Sequence, residues 1–317
     1  VTLPPVKIGL IGLGKMGQNH LRVLSLMKDT DLAFVYDLDG AAAAQLALQN
    51  GVKTGSDLDS LLDLVDAVVI CTPTITHGDY LRLVASKVQN IFVEKPLAHS
   101  LAETQALATY AADEGLRVQI GFIERFNPAV QQLKSVLGES AGVVSVDFTR
   151  TNKLSARITD VDVVTDLMIH DIDLALHLNG PVVDVSAHGL AEGEMINFAS
   201  ALLTHGNGRF SRVQASRITD KKMRSIQATC VDMFIDCELV RKELVISRQS
   251  EIRQKDGGPF TITAIEQTIE VRQQEALLNE LQAFVTMCRT GQAQGPDETD
   301  GLRAAEICHQ VQQAVLS

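Results

Sequence analysis

Over the first 122 residues or so, short apolar runs alternate with amphipathic stretches. The runs Lys7–Ile11, Leu32–Tyr36, Ala67–Cys71, Ile91–Glu94 and Val118–Gly121 are brief and rich in Val or Ile. That length and composition suit strands buried on both faces. Between them lie stretches with apolar residues at helical spacing, such as Leu101–Glu114 with Leu101, Ala108 and Ala112. Alternating strand and helix predicts parallel βαβ units in a doubly wound sheet.

The pattern changes after Pro128. A helix is expected over Pro128–Leu137, strand-like alternation over Val143–Arg150, and a helix over Thr165–Leu178 closed by Gly180-Pro181. From Val182 to Val271 the signals are mainly strands separated by turns, such as Gly206-Asn207-Gly208 and Asp256-Gly257-Gly258-Pro259. This predicts an antiparallel or mixed sheet with a helix on one face. The chain then turns helical again. Leu277, Leu281, Phe284, Val285 and Cys288 form one stripe, and Ala304, Ile307, Cys308, Val311 and Val315 another. Two domains are expected, 1–122 and 123–317, with the last helices packing partly on the first.

Composition narrows the function. The 317 residues are 45% hydrophobic and 21% charged, which allows a sizeable core without disulfides or metals. The net charge of −11 argues against non-specific binding to nucleic acid or an anionic membrane. The five cysteines are odd in number and form no CxxC pair, so a reducing compartment is expected. The start, Val1 to Pro5, lacks a basic stretch leading into an apolar one, and no run of about 18 apolar residues occurs. Neither a signal peptide nor a membrane span is expected, and a cytoplasmic location follows.

Several constellations carry chemistry. Gly12-Leu13-Gly14-Lys15-Met16-Gly17 follows a strand-like run and opens a helical one. In that context the three glycines serve a tight turn, close approach of a pyrophosphate and close helix–strand packing. The helix N-terminus offers its unpaired N–H groups to phosphate. Asp37 ends the second run, 20 residues after Gly17. A carboxylate there can bind both ribose hydroxyls and repels a 2′-phosphate, which favours NAD over NADP; Asp39 could share the role. Thr72, Pro73 and His77 follow another strand, where ligands of an open α/β sheet bind. Glu94-Lys95-Pro96 ends the next strand, and a lysine there points into the same crevice, donating hydrogen bonds. Asp166 and His170, four apart, share one helical face. They can act as a hydroxyl-binding group and a general base. With Asp173 and His177 they could instead ligate zinc or manganese, and His170 could be purely structural.

The set Gly12-x-Gly14-x-x-Gly17, Thr72-Pro73, Glu94-Lys95-Pro96 and Asp166-x-x-x-His170 resembles the glucose-fructose oxidoreductase/inositol dehydrogenase/rhizopine-catabolism (Gfo/Idh/MocA) family. Within it, the run from Gly121 to Pro128 and Leu167–Asp173 resemble the branch acting on UDP-N-acetylhexosamines at C3. The resemblance implies an N-terminal Rossmann domain with a doubly wound parallel sheet. It implies a C-terminal α+β domain with a large, mostly antiparallel open sheet, used partly for contacts in a homodimer or homotetramer. It implies bound NAD(H), and Lys95, Asp166 and His170 as the catalytic set with no metal. The cofactor would be held by Gly12, Gly14, Lys15, Met16, Gly17, Asp37, Thr72, Pro73, His77, Glu94 and Lys95. Arg125 and Asn127 would join Lys95, Asp166 and His170 in binding the sugar or nucleotide sugar. Thr74, Asp162 and Ala276 depart from the family's usual Asn, Gly and Pro; the change at Asp162 bears on the choice of substrate. The expected reaction is reversible hydride transfer at a secondary hydroxyl. A free-sugar or inositol dehydrogenase is the alternative enzyme, and a dinucleotide-responsive regulator the alternative class.

Overall fold

The chain divides into two units, Val1–Ile123 with Glu275–Ala305, and Glu124–Gln274 with Glu306–Ser317. The computed structural model describes residues 4–153, 161–254 and 260–317, with backbone alone at 249–253 and 260–264. The turn expected at 256–259 lies outside the described residues.

The first unit is built on five parallel strands. They are β1 (Val6–Ile11), β2 (Thr30–Tyr36), β3 (Ala67–Ile70), β4 (Asn90–Glu94) and β5 (Arg117–Gly121), in the order β2-β1-β3-β4-β5. β3 and β4 are buried at every position, which is why the sequence reads there as unbroken apolar runs rather than alternation. Lys53 adds an isolated parallel bridge to Phe34 on the outer side of β2. Counting that bridge as a rudimentary strand gives the spatial order 3-2-1-4-5-6 of dinucleotide-binding sheets.

The helices of this unit are α1 (Lys15–Leu26), α2 (Gly40–Asn50), α3 (Leu58–Leu62), α4 (His77–Ala85) and α5 (Leu101–Asp113). Asp39 caps α2 by accepting from Ala41 and Ala42 N–H at 3.2 and 3.1 Å, and Ser100 caps α5 through Glu103 N–H. The helix Ala276–Thr290, from far along the chain, closes one side. Its Leu277, Leu281 and Phe284 pack with Leu10, Leu24 and Phe92 in one buried cluster. Each such side chain contributes on the order of 1.5–3 kcal/mol by leaving water.

The second unit opens with α6 (Pro128–Gly138) and β6 (Val143–Lys153). A π-helical turn at Val164–Met168 leads into α7 (Ile169–Asn179). The sequence reading of one regular helix over 165–178 misses that wider turn. Then come β7 (Val182–Glu192), β8 (Met195–His205), β9 (Phe210–Ser216), β10 (Ile218–Cys230), β11 (Met233–Glu238), β12 (Glu243–Gln254) and β13 (Phe260–Ile269). The eight strands form one sheet in the order β13-β12-β11-β10-β6-β9-β8-β7, antiparallel except for β6 beside β9. Alternation sorts its faces. In β8, Ala199, Ala201 and Leu203 are buried, while Leu202 is exposed. The two C-terminal helices are α8 (Ala276–Thr290) and α9 (Glu298–Leu316).

Candidate active site

The first unit holds a cavity of about 580 Å³ at the carboxyl ends of β1, β3 and β4. Of the expected cofactor ligands, Gly12, Gly14, Met16, Asp37, Thr72 and Pro73 line it, and so do His77, Glu94 and Lys95. Lys15 and Gly17 are not on its wall. Gly17 acts by packing: a Cβ there would meet the Gly12 carbonyl oxygen at 1.9 Å. Gly12 has φ +91°, and a Cβ there would meet the Cys71 backbone at 2.6 Å. Gly14 instead faces open space, where a phosphate could approach the first turn of α1. Tyr36, Leu38 and Tyr80 also line the cavity, a contribution with no motif to announce it.

Asp37 lines the cavity with both carboxylate oxygens held. Oδ2 accepts from Leu13 N–H at 2.7 Å and Oδ1 from Asp39 N–H at 2.9 Å. The carboxylate is thus fixed beside the glycine turn. Asp39 spends its own side chain capping α2 and does not line the cavity. Glycine turn, helix start and fixed acid together fit a dinucleotide, with phosphates over Gly12–Met16 and the adenosine ribose at Asp37.

His77 lines the cavity with its ring, but its nitrogens face inward. Nδ1 lies 2.9 Å from the Pro96 carbonyl oxygen and Nε2 2.9 Å from that of Thr72. Burial pushes its pKa down, favouring the neutral ring, which can donate to one of these oxygens at a time. The residue braces two loops, one of which carries the cis Lys95–Pro96 peptide. It both lines the cavity and begins α4, the two places the sequence left open for it.

Sequence reasoning missed what stands behind Glu94. The His20 ring is fully buried, and its Nε2 lies 2.7 Å from Glu94 Oε1. The ring packs edge-on against Phe92, with centroids 5.2 Å apart. His20, Glu94 and Cys71 bring a nitrogen, an oxygen and a sulfur within 4.8 Å of one another, a set that a metal ion can use. Burial, then Glu94 and Glu280, push the Cys71 thiol well up, so with no cation beside it the thiol stays protonated. The trio has the chemistry of a buried polar brace.

In the second unit, Asp166 and His170 lie on the π turn and the start of α7. Asp162 fixes the approach: its Oδ1 accepts from Thr165 N–H at 2.8 Å and its Oδ2 from Gln312 Nε2 at 2.7 Å. Buried Arg217 donates through Nη2 to the Asp162 carbonyl at 3.0 Å and to Asp166 Oδ2 at 3.3 Å. Further along, Arg150 bonds both oxygens of Asp171 at 2.8 and 2.9 Å and reaches Glu124 Oε1 at 2.9 Å. Arg125 binds Asp173, with Nη2 2.6 Å from Oδ1 and Nε 2.9 Å from Oδ2. So the three carboxylates of the 166–173 run each have their own arginine. Burial pushes the Glu124 carboxyl up, but Arg150 and then Arg224 more than offset this, and it ends below its usual range.

This geometry corrects two expectations. Arg125 is committed to Asp173, and its side chain is 11% exposed. Asn127 is buried; its Oδ1 accepts from Ala129 N–H to cap α6, while its Nδ2 donates to Glu124 and to the Leu239 carbonyl. Both residues build the scaffold under α7. The alternative metal quartet also loses donors: Asp173 is held by Arg125, and His177 Nε2 lies 3.0 Å from Lys134 Nζ. Lys95 belongs to the first unit, and Asp166 and His170 to the second.

No helix among the described residues is long and apolar enough to cross a membrane. Residues 6–122 match the model of an oxidoreductase family, Gfo/Idh/MocA, with an NAD-binding Rossmann fold. Residues 141–232 match the Gfo/Idh/MocA C-terminal domain. The chain is 29% identical to a UDP-N-acetylglucosamine 3-dehydrogenase of Acidithiobacillus ferrooxidans, covering 98% of this chain and 97% of that one. It is 30% identical to a scyllo-inositol 2-dehydrogenase (NAD(+)) of Bacillus subtilis, covering 90% and 87%. A solved structure of the Acidithiobacillus enzyme superposes with a TM-score of 0.88 at 28% identity over 99% of both chains. Levoglucosan dehydrogenase in complex with NADH and levoglucosan shares the fold, with a TM-score of 0.84 at 21% identity over 98% of this chain and 97% of that one. The chain belongs to the Gfo/Idh/MocA oxidoreductase family, and it is an NAD-dependent dehydrogenase acting on CH–OH groups.

Proposed function

We propose that the protein transfers a hydride reversibly between NAD and a secondary alcohol carbon of a sugar, C3 of a UDP-N-acetylhexosamine. The observation that carries the reading is Asp166 and His170, four residues apart, with Arg217 on Asp166 and Arg150 on the neighbouring Asp171, in a chain whose relatives are named for sugar and polyol oxidation. NAD supplies the hydride acceptor when bound. Gly12, Gly14 and Met16 would receive its phosphates and Asp37 its ribose, with Thr72, Pro73, Glu94 and Lys95 toward the reacting end.

His170 takes the proton of the reacting hydroxyl as general base. Lys95 donates a hydrogen bond to the same oxygen and stabilises the charge that develops there, so the step needs no Lewis acid. Asp166 accepts from a neighbouring hydroxyl and orients His170. The inositol dehydrogenases among the relatives favour a free polyol as the second reading. Absorbance near 340 nm during incubation of the enzyme and NAD with nucleotide sugars, free sugars and inositols separates the two. Turnover of a UDP-N-acetylhexosamine, with none of its free sugar, is the expected result. Turnover of inositols alone would transfer the assignment to the second reading.

A further inference from the structure

A second cavity lies wholly in the sheet-bearing unit, at the ends of β10 and β11. It measures about 380 Å³ and is lined by Lys221, Lys222, Arg224 and Arg241, with Glu238 the one acid. Such a concentration of positive charge stands out in a chain with a net charge of −11. Arg241 is partly neutralised: its guanidinium lies 3.6 Å from Glu238 and 3.4 Å from Glu243. Lys221 and Lys222 are exposed and make no ion pair with an acid among the described residues.

Two consecutive lysines on one cavity need an explanation, because successive side chains of a strand point to opposite faces. A bulge supplies it. The pairing of β10 with β6 slips between Ile218 and Met223, so the lysines fall in the extra length. Thr151, buried on β6, fixes the bulge: its hydroxyl donates to the Lys221 carbonyl and accepts from Met223 N–H at 3.2 Å. The double lysine is therefore built into the sheet rather than left on a loose loop.

The cavity is also wired to the helix that bears His170. Arg224 forms one wall, and its Nη1 lies 3.5 Å from Glu124 Oε1, the oxygen that Arg150 holds. Arg150 in turn clamps Asp171. Burial lowers the Arg224 pKa, as does Arg150, while Glu124, Asp171 and Asp166 raise it. An anion in this cavity would sit beside the Arg224–Glu124–Arg150–Asp171 network, which reaches α7 one residue after His170.

We infer that the Lys221–Lys222 bulge, with Arg224 and Arg241, receives the diphosphate of a nucleotide-sugar substrate; this rests on the nucleotide-sugar reading above. Charge-assisted hydrogen bonds from two lysines and two guanidinium groups suit its oxygens. A free sugar or inositol would leave the cavity unused.

The test is calorimetric titration of the NAD-saturated enzyme with UDP, pyrophosphate and uridine. It is run on the wild type, on the Lys221→Ala/Lys222→Ala double variant, on the Lys221→Arg/Lys222→Arg double variant, and on Lys87→Ala, in the first unit, as a control. Removing both lysines should weaken UDP and pyrophosphate by about tenfold or more, with arginine restoring most of the loss. Uridine binding and the control should be unaffected. UDP affinity of the wild type should also fall as salt rises. Equal UDP affinity in wild type and the alanine double variant would overturn the inference, and so would a wild type that binds neither UDP nor pyrophosphate. Turnover of a UDP-N-acetylhexosamine is scored separately. If UDP binds through the lysines but no such sugar is oxidised, the proposed reaction falls and the anion site stands.

Discussion

Arg150 clamps Asp171 with two near-parallel hydrogen bonds, Nε to Oδ2 at 2.9 Å and Nη2 to Oδ1 at 2.8 Å, one residue after His170. Both side chains are almost fully buried, and Glu124 completes the triad. Helix α7 is thereby pinned to β6 next to the residue assigned as base. Arg150→Met fills similar space but leaves buried Asp171 without its partner and Glu124 with Arg224 alone. It should cost on the order of 3–5 kcal/mol of unfolding free energy, measured by denaturant titration. A loss under about 1 kcal/mol, the scale of an exposed pair, would mean that the triad does not anchor the helix.

The fixed carboxylate of Asp37 sets cofactor choice. Its oxygens are tied to Leu13 and Asp39 N–H, so it cannot swing away from a 2′-phosphate. NAD should bind more tightly than NADP by about tenfold or more, since facing like charges cost several kcal/mol. Asp37→Ser should narrow that gap. Fluorescence titration with both cofactors decides, and equal or tighter NADP binding by the wild type would contradict the assignment.

Much of the first unit was legible because its signals are local. Val- and Ile-rich runs too short for helices mark β1, β3, β4 and β5, and the spacing of Gly12, Gly14 and Gly17 marks the turn between β1 and α1. The second unit was legible in outline only. The π turn at Val164–Met168 leaves the hydrophobic pattern almost that of a regular helix. Arg150 with Asp171, Arg125 with Asp173 and Arg217 with Asp166 pair across 21, 48 and 51 positions, and nothing local announces such partners. For that reason Arg125 and Asn127 read as substrate-binding groups, whereas one holds Asp173 and the other caps α6. Nor does anything local announce that the nitrogens of His77 meet the Thr72 and Pro96 carbonyls, or that His20 meets Glu94 across 74 positions.

Lys95 should separate chemistry from cofactor binding. Lys95→Met keeps the length of the side chain and removes its charge and donors. Turnover should fall by about 10²-fold or more, while NAD affinity stays within a few-fold, compared by initial rates and direct titration. An enzyme that keeps wild-type turnover would make Lys95 structural.

Acid should weaken the second unit through His205. Its Nδ1 donates to the Gly180 carbonyl at 2.8 Å and its Nε2 accepts from Ser211 Oγ at 2.9 Å, an arrangement that suits the neutral ring. Burial pushes its pKa below the ordinary value of 6.5. With the folded pKa depressed, the unfolded chain binds more protons just below pH 6.5, so stability is full above that pH and falls as pH drops toward the folded value. Melting temperature should decline in this window for the wild type and less steeply for His205→Gln. Parallel declines would remove His205 as the cause.

The central claim is that His170 is the base. His170→Asn keeps approximate shape and some hydrogen bonding but cannot take the hydroxyl proton. The direct measurement is the rate of sugar oxidation against pH for wild type and variant, each with and without a chelator. The account predicts an acid-side fall in the wild type from a single protonation and no effect of chelator. It predicts a variant slower by about 10²–10⁴-fold that binds NAD normally and has lost that acid-side fall. A variant that retains the wild-type acid limb, or a wild type that chelator inactivates, would contradict it.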